Sequence, residues 1–204
     1  MIDTVKIKNS IKDIVVQVNM PNFIGSGMVV SVNDKFFVIT ALHNIPSSGP
    51  LFDIVYRGVS TTFSTNTSKI FIDTINDIAL IDIGQPAGIK VISIIDTESP
   101  PEGTEVVCFG YTYSHIELGN YLRNIKGEIS RDTGSKCILD NQTVKGMSGG
   151  PVLSEVDGIP YIIGIILASD AFAENTGTAV IRYGNTIYKK IDKTYINSII
   201  NGLA

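Results

Sequence analysis

Apolar residues recur along this chain at alternate positions or in short unbroken runs, a pattern of strands rather than helices. Ile14-Val15-Val16-Gln17-Val18 is a β-branched run that stops at Pro21-Asn22. Residues 27–32 and 35–40 flank the polar pair Asn33-Asp34 and predict a hairpin. Further strands are expected at 54–56, 68–72 and 77–83. The polar, proline-bearing stretch 96–103 then breaks the pattern and reads as a linker. Beyond it, strands are expected at 105–110, 125–129, 137–139, 151–153, 162–167 and 178–181. Only the last stretch has helical spacing, with Ile187, Ile191, Tyr195, Ile196 and Ile199 three or four residues apart. Asn185-Thr186 is the expected cap region. The implied division is an N-terminal β-unit over 1–95, the linker 96–103, a C-terminal β-unit over 104–184 and a helix over 185–204.

Composition agrees with an all-β chain. The 204 residues hold 33 Ile and 17 Val against 9 Leu and 8 Ala. With 19 Gly and 8 Pro as punctuation, a sandwich or barrel is expected. Sixteen basic residues against twenty acidic give a net charge of −4, with no basic run longer than Lys189-Lys190. Nucleic acid is therefore not an expected partner, because phosphate binding needs a positive stripe. No apolar run approaches the roughly 18 residues of a spanning helix, so no membrane segment is expected. Two cysteines and an amino terminus without an apolar core predict free buried thiols and a cytoplasmic protein, or one delivered into a host cell.

The candidate chemistry centres on Gly146-Met147-Ser148-Gly149-Gly150-Pro151. A serine among glycines can be a plain turn. Here glycine at 146 permits the amides of Gly146 and Ser148 to face one side, as an oxyanion hole requires. Gly149 and Gly150 are expected to leave space for an acyl group above the hydroxyl. The nucleophile elbow of α/β-hydrolases shares the Gly-x-Ser-x-Gly spacing, but needs a helix next and a histidine downstream. The only histidines, His43 and His115, both precede Ser148. His43 leaves an apolar strand in Thr40-Ala41-Leu42-His43, whereas His115 reads as a loop residue. An imidazole acting as base needs an anion to fix its tautomer. Asp77, at the mouth of Asp77-Ile78-Ala79-Leu80, is the first candidate, with Asp73 and Asp82 as competitors.

The order His43, Asp77, Ser148 and the three blocks around them resemble the signature blocks of chymotrypsin-like (trypsin-like) serine peptidases, from about Gly25 to Arg182. That resemblance implies two perpendicular six-stranded β-barrels with the triad in the crevice between them. It implies serine endopeptidase activity through an acyl-enzyme, with Ser148 as nucleophile, His43 as base and Asp77 as orienter. Gly146 and Ser148 would form the oxyanion hole, and no cofactor or metal is implied. A polypeptide substrate would bind as an added strand along Ile166, Leu167, Ala168 and Ser169. The specificity pocket would involve Gln142, Thr143, Ser169, Gly177 and Thr178, none charged, which implies a neutral or modestly apolar residue just before the cleaved bond. Met147 replaces the acid that activates digestive members, and Asn44 replaces a common cysteine. Neither zymogen-type activation nor a second, peptide-binding domain within the chain is expected, while a protein partner or regulatory domain stays open. The alternatives are a silent peptide- or protein-binding module on the same fold, or a serine esterase.

Overall fold

Strand alternation sends successive side chains to different cores, and this organises the computed structural model of the chain. The structure describes residues 2–21, 23–47, 51–84, 94, 100–114, 119–175 and 180–203. Half of the expected linker, residues 96–99, together with His115, Gly177 and Thr178, lies outside the described residues. A short helix, α1 (Thr4–Ile11), precedes the strands β1 (Val15–Met20), β2 (Phe23–Val32), β3 (Lys35–Ala41), β4 (Leu51–Tyr56), β5 (Val59–Ser64), β6 (Ile70–Asp73) and β7 (Ile78–Gly84). They form one curled seven-stranded sheet in the order β5-β4-β1-β2-β3-β7-β6. The expected β2–β3 hairpin is present, and Asn33 and Asp34 both take positive φ in its turn, as a two-residue hairpin loop requires.

The second unit comprises β8 (Glu105–Ser114), β9 (Gly119–Asp132), β10 (Lys136–Leu139), β11 (Pro151–Val156), β12 (Ile159–Asn175) and β13 (Val180–Lys190). These close into a six-stranded barrel, β10-β13-β12-β11-β8-β9. The chain is thus mostly β, as expected, with one closed barrel and one curled half-barrel. Strand β5 was not expected. Its sequence, Val-Ser-Thr-Thr-Phe-Ser, is largely exposed and held by backbone pairing to β4.

The expected helix over 185–204 is corrected. Residues up to Lys190 belong to β13, and α2 spans only Lys193–Ile200. Thr186 and Tyr188 are fully buried in the barrel at period two, so the apparent helical spacing of Ile187 and Ile191 is coincidental. The cap is Asp192, whose carboxylate accepts from Tyr195 N–H at 2.6 Å, not Asn185-Thr186.

Three apolar clusters result. Val29 and Val38 point into the half-barrel with Val16, Val18 and Ile81. Val106, Cys108, Val152, Ile163 and Ile166 fill the closed barrel. The intervening residues Met28, Val30, Phe37 and Ile39 face outward from the sheet and meet Val107, Phe109, Leu153 and Ile165 of the barrel. Helices α1 and α2 cover this seam with Ile7, Ile11, Ile196 and Ile199. Strands with both faces apolar are why the chain shows continuous β-branched runs.

Leu153→Ala, at the fully buried seam, is expected to lower unfolding free energy by about 2–5 kcal/mol in urea denaturation. Val59→Ala on exposed β5 should stay within about 0.5 kcal/mol.

Candidate active site

The register of β3 against β7 brings the first two candidate residues together. Ala41 pairs with Ile78, so the chain leaving β3 and the chain entering β7 meet at one end of the sheet. Leaving β3, residues Leu42–Asn44 form a single 3-10 turn. Leu42 N–H donates to the Asp77 carbonyl at 2.8 Å, which docks that turn on the residue before β7. Asp77 takes φ +60, a left-handed conformation that aspartate tolerates better than most residues. Its carboxylate then grips His43 twice: Oδ1 accepts from the His43 backbone N–H at 3.0 Å, and Oδ2 lies 2.6 Å from Nδ1. A carboxylate at Nδ1 favours the proton there and leaves Nε2 as the ring's acceptor. The two side chains are 42% and 38% exposed, so water screens their attraction. The competing acids are engaged elsewhere: Asp82 accepts from Gly84 N–H, and Asp73 serves a separate network.

Ser148 arrives from the other lobe on a loop built by glycines. Gly146 and Gly149 sit at φ +99 and +85. A Cβ on Gly149 would lie 2.0 Å from the Ser26 carbonyl oxygen, so this glycine lets the loop press on the half-barrel rather than clearing space for an acyl group. Within the loop, the N–H groups of Met147, Gly149 and Gly150 donate to Val144, Ile166 and Met147 carbonyls. Those of Gly146 and Ser148 donate to no acceptor among the described residues. Two uncommitted donors beside a serine are what an oxyanion site needs.

A buried polar clamp holds this loop to the half-barrel. Ser26 N–H donates to the Ser148 carbonyl at 2.8 Å, and Ser26 Oγ donates to the Gly146 carbonyl and accepts from Tyr111 N–H, both at 2.7 Å. Asn44 Nδ2 reaches the Ser148 carbonyl at 2.8 Å and Thr40 Oγ1 at 3.0 Å. Thr40 Oγ1 in turn donates to the Ser26 carbonyl at 2.6 Å. The residue next to His43 therefore touches the backbone of Ser148. No hydrogen bond joins Ser148 Oγ to the His43 ring in this structure. Met147 is fully buried in the barrel core, away from any ion pair among the described residues.

The remaining expected site residues separate. Gln142 is exposed, while Thr143 is buried and its N–H and hydroxyl meet Thr186 Oγ1 at 2.9 and 3.3 Å. Thr186 was missed because its strand looked like a helix start. Ile166 exchanges backbone hydrogen bonds with the Gly149–Gly150 loop and buries its side chain in the barrel. Past it the pairing becomes one-sided: β11 pairs with β12 only up to Ile165, whereas β13 follows β12 to Asn175. From Leu167 through Ala168 and Ser169, one edge of β12 has no strand partner among the described residues. A cavity of about 730 Å³ is bordered by Val144, Lys145 and Gly146 of the Ser148 loop but by none of the three triad candidates.

The loop that carries Asp77 is braced from behind. Buried Asp73 accepts from the N–H groups of Ile75 and Asn76 at 3.0 Å, and from Asn76 Nδ2 and Tyr195 OH at 2.7 Å. Burial pushes the Asp73 carboxyl up, but these hydrogen bonds outweigh it and leave it below the usual carboxylate range. Helix α2 is thereby tied to the turn that positions Asp77.

The sequence pattern of the trypsin-like peptidase domain matches residues 25–165. No curated protein matches. Among solved structures, the serine endoprotease from Yersinia pestis is similar over 100% of this chain and 67% of its own, with TM-score 0.71 and 19% identity. The Rv3671c protease, in an inactive form, is similar over 97% of this chain and 92% of its own, with TM-score 0.66 and 14% identity. At these identities the likeness is one of fold.

Asn44→Ala is expected to lower stability by about 1–3 kcal/mol in urea denaturation, because three acceptors lose a shared donor. Asn44→Asp should cost more, since it sets a carboxylate against the Ser26 and Ser148 carbonyls. For Asp73, the depressed folded-state pKa makes its contribution present above the unfolded carboxylate pKa and lost as pH falls through the folded value. Denaturation midpoints measured from neutral to acid pH should show a shallower decline in Asp73→Asn than in the parent chain.

Proposed function

Because the chain belongs to the trypsin-like peptidase family, we propose that it is a serine endopeptidase in which Ser148, His43 and Asp77 form the catalytic triad. Ser148 Oγ attacks the carbonyl carbon of the scissile peptide bond while its proton passes to His43 Nε2. Asp77 holds Nδ1–H and stabilises the imidazolium that results. The carbonyl oxygen becomes an oxyanion and accepts from the Gly146 and Ser148 N–H groups, a contribution of about 3–4 kcal/mol for one such donor. Collapse of the tetrahedral intermediate expels the amine, which takes the proton from Nε2, and leaves an acyl ester on Ser148. Water, deprotonated by the same nitrogen, then releases the acid.

The observation that carries this reading is the two-point grip of Asp77 on His43, which fixes the ring with Nε2 free to accept. The uncommitted N–H groups of Gly146 and Ser148 support it. The open edge of β12 from Leu167 supports a polypeptide substrate bound as an added strand, its acyl-side residues running toward Ser169. Neutral Thr143 and Thr186, with exposed Gln142, support a neutral residue before the cleaved bond. Buried Met147 supports competence without a newly cut amino terminus.

One observation favours a silent binding module instead: Ser148 Oγ and His43 make no hydrogen bond. Catalytic hydrogen bonds are often long in unliganded enzymes and tighten with substrate, so the peptidase reading is preferred. Fluorophosphonate labelling separates the two. Labelling of the native chain, abolished in Ser148→Ala and slowed about 100-fold or more in His43→Ala, is the expected result. A folded chain that resists the probe would establish the binding module. Peptide-library digestion should then yield peptide cleavage rather than ester hydrolysis alone, with neutral residues before the cut.

A further inference from the structure

The 730 Å³ cavity beside Gly146 has no role in the chemistry above, and its chemical character is specific. Phe23 and Ile24 of β2 form one wall, Tyr121 and Arg123 of β9 another, and Lys145 closes it against the Ser148 loop. Tyr121 and Arg123 are two residues apart on one strand and so share a face. Arg123 is paired across the ladder with Gly110, so no side chain lies opposite it. The Lys145 carbonyl accepts from Thr112 Oγ1 at 3.0 Å, and its Nζ lies 5.9 Å from the Phe23 ring centroid. Both anchors keep the lysine at the cavity rim. Among the described residues neither cation makes an ion pair, and no Asp or Glu lines the cavity. In a chain of net charge −4, two unpaired cations on one aromatic-walled cavity mark a place for an anion.

Its position says which part of a substrate would enter. Resting on the peptidase reading, the acyl side of the substrate follows β12, and among the described residues none of β12 or β13 borders this cavity. A peptide that crosses Ser148 from β12 passes over Gly146 and meets the cavity with its leaving-group side. We propose that this cavity is a leaving-side subsite that recognises a carboxylate through Arg123 and Lys145, so that substrates acidic just beyond the cleaved bond are preferred. The carboxylate belongs either to an Asp or Glu side chain or to the substrate's own carboxyl terminus.

Quenched fluorescent peptides sharing one acyl half, with Glu, Gln or Lys at each of the first three leaving-side positions, test the proposal. Each is made as a free acid and as an amide. Glu is expected to exceed Lys in kcat/KM by about tenfold at one position, as two exposed charge pairs allow. The ratio should shrink toward one in high salt, where the Debye length falls to about 3 Å. A preference for Glu in both acid and amide series assigns a side chain; a preference for acids over amides regardless of sequence assigns the terminus. Arg123→Glu and Lys145→Glu should each reverse the Glu-to-Lys ratio, and the neutral Arg123→Gln should level it if a reversed-charge variant fails to fold. Equal rates for Glu, Gln and Lys with no acid-to-amide difference, or a preference unchanged in the folded variants, would overturn the proposal. If no peptide is cleaved and fluorophosphonate does not label Ser148, the peptidase reading has failed instead. Anisotropy of the labelled leaving-half peptides on the same protein then decides the subsite alone, tighter binding of the acidic peptide supporting it and equal binding rejecting it.

Discussion

A site assembled from two sheets keeps its geometry only if the sheets cannot slide, and here one buried hydrogen bond stands at the point of contact: Ser26 N–H on the Ser148 carbonyl, 2.8 Å long. Around it Thr40, Asn44 and the Ser26 hydroxyl saturate the same few backbone oxygens. The apolar seam of Phe37, Ile39, Phe109 and Leu153 supplies most of the cohesion between lobes, because hydrophobic burial scales with area. That cohesion is non-directional. The polar clamp supplies what the seam lacks, a unique register, since any sliding would leave buried donors and acceptors unpaired.

The clamp also bears on how the Ser148 loop is held without an ion pair. Met147 is packed as a core side chain, fully buried among Cys108, Val152 and Ile166. The carbonyls on either side of it, Gly146 and Ser148, are fixed by neutral donors from the half-barrel. A loop held this way depends on folding of the two lobes together rather than on a charged chain end. Every hydrogen bond of the clamp joins neutral groups, backbone amides and carbonyls, hydroxyls and one side-chain amide.

Much of this was legible in the order of residues. Strands whose two faces serve two cores, such as β3 with Val38 inward and Phe37 and Ile39 toward the seam, leave runs that read as strands from sequence. The choice of Asp77 over Asp73 and Asp82 rests on the motif blocks, and Asp77 is the acid whose carboxylate touches His43. What escaped was structure held by pairing or by contacts distant in sequence. Strand β5 has too few apolar positions to announce itself. Thr186 and Tyr188 alternate at period two, but neighbouring isoleucines imitate a helix. Ser26 lies 120 residues from the carbonyl it holds, and nothing local in the sequence marks that bond.

The two ends of the chain's architecture converge on the acid of the candidate triad. Asp77 is fixed from the front by the turn after β3 and from behind by the Asp73 network, which Tyr195 of α2 joins. Asp73 is acidic, buried and adjacent to the site, yet its four hydrogen bonds all serve conformation. Asp77 is more exposed and carries the contact to the imidazole. The division follows from what each role demands. A structural carboxylate gains from being dry, where hydrogen bonds are strong, whereas one that must answer a charge forming on its neighbour has to face that neighbour at the cleft, and the cleft is where substrate and water must enter.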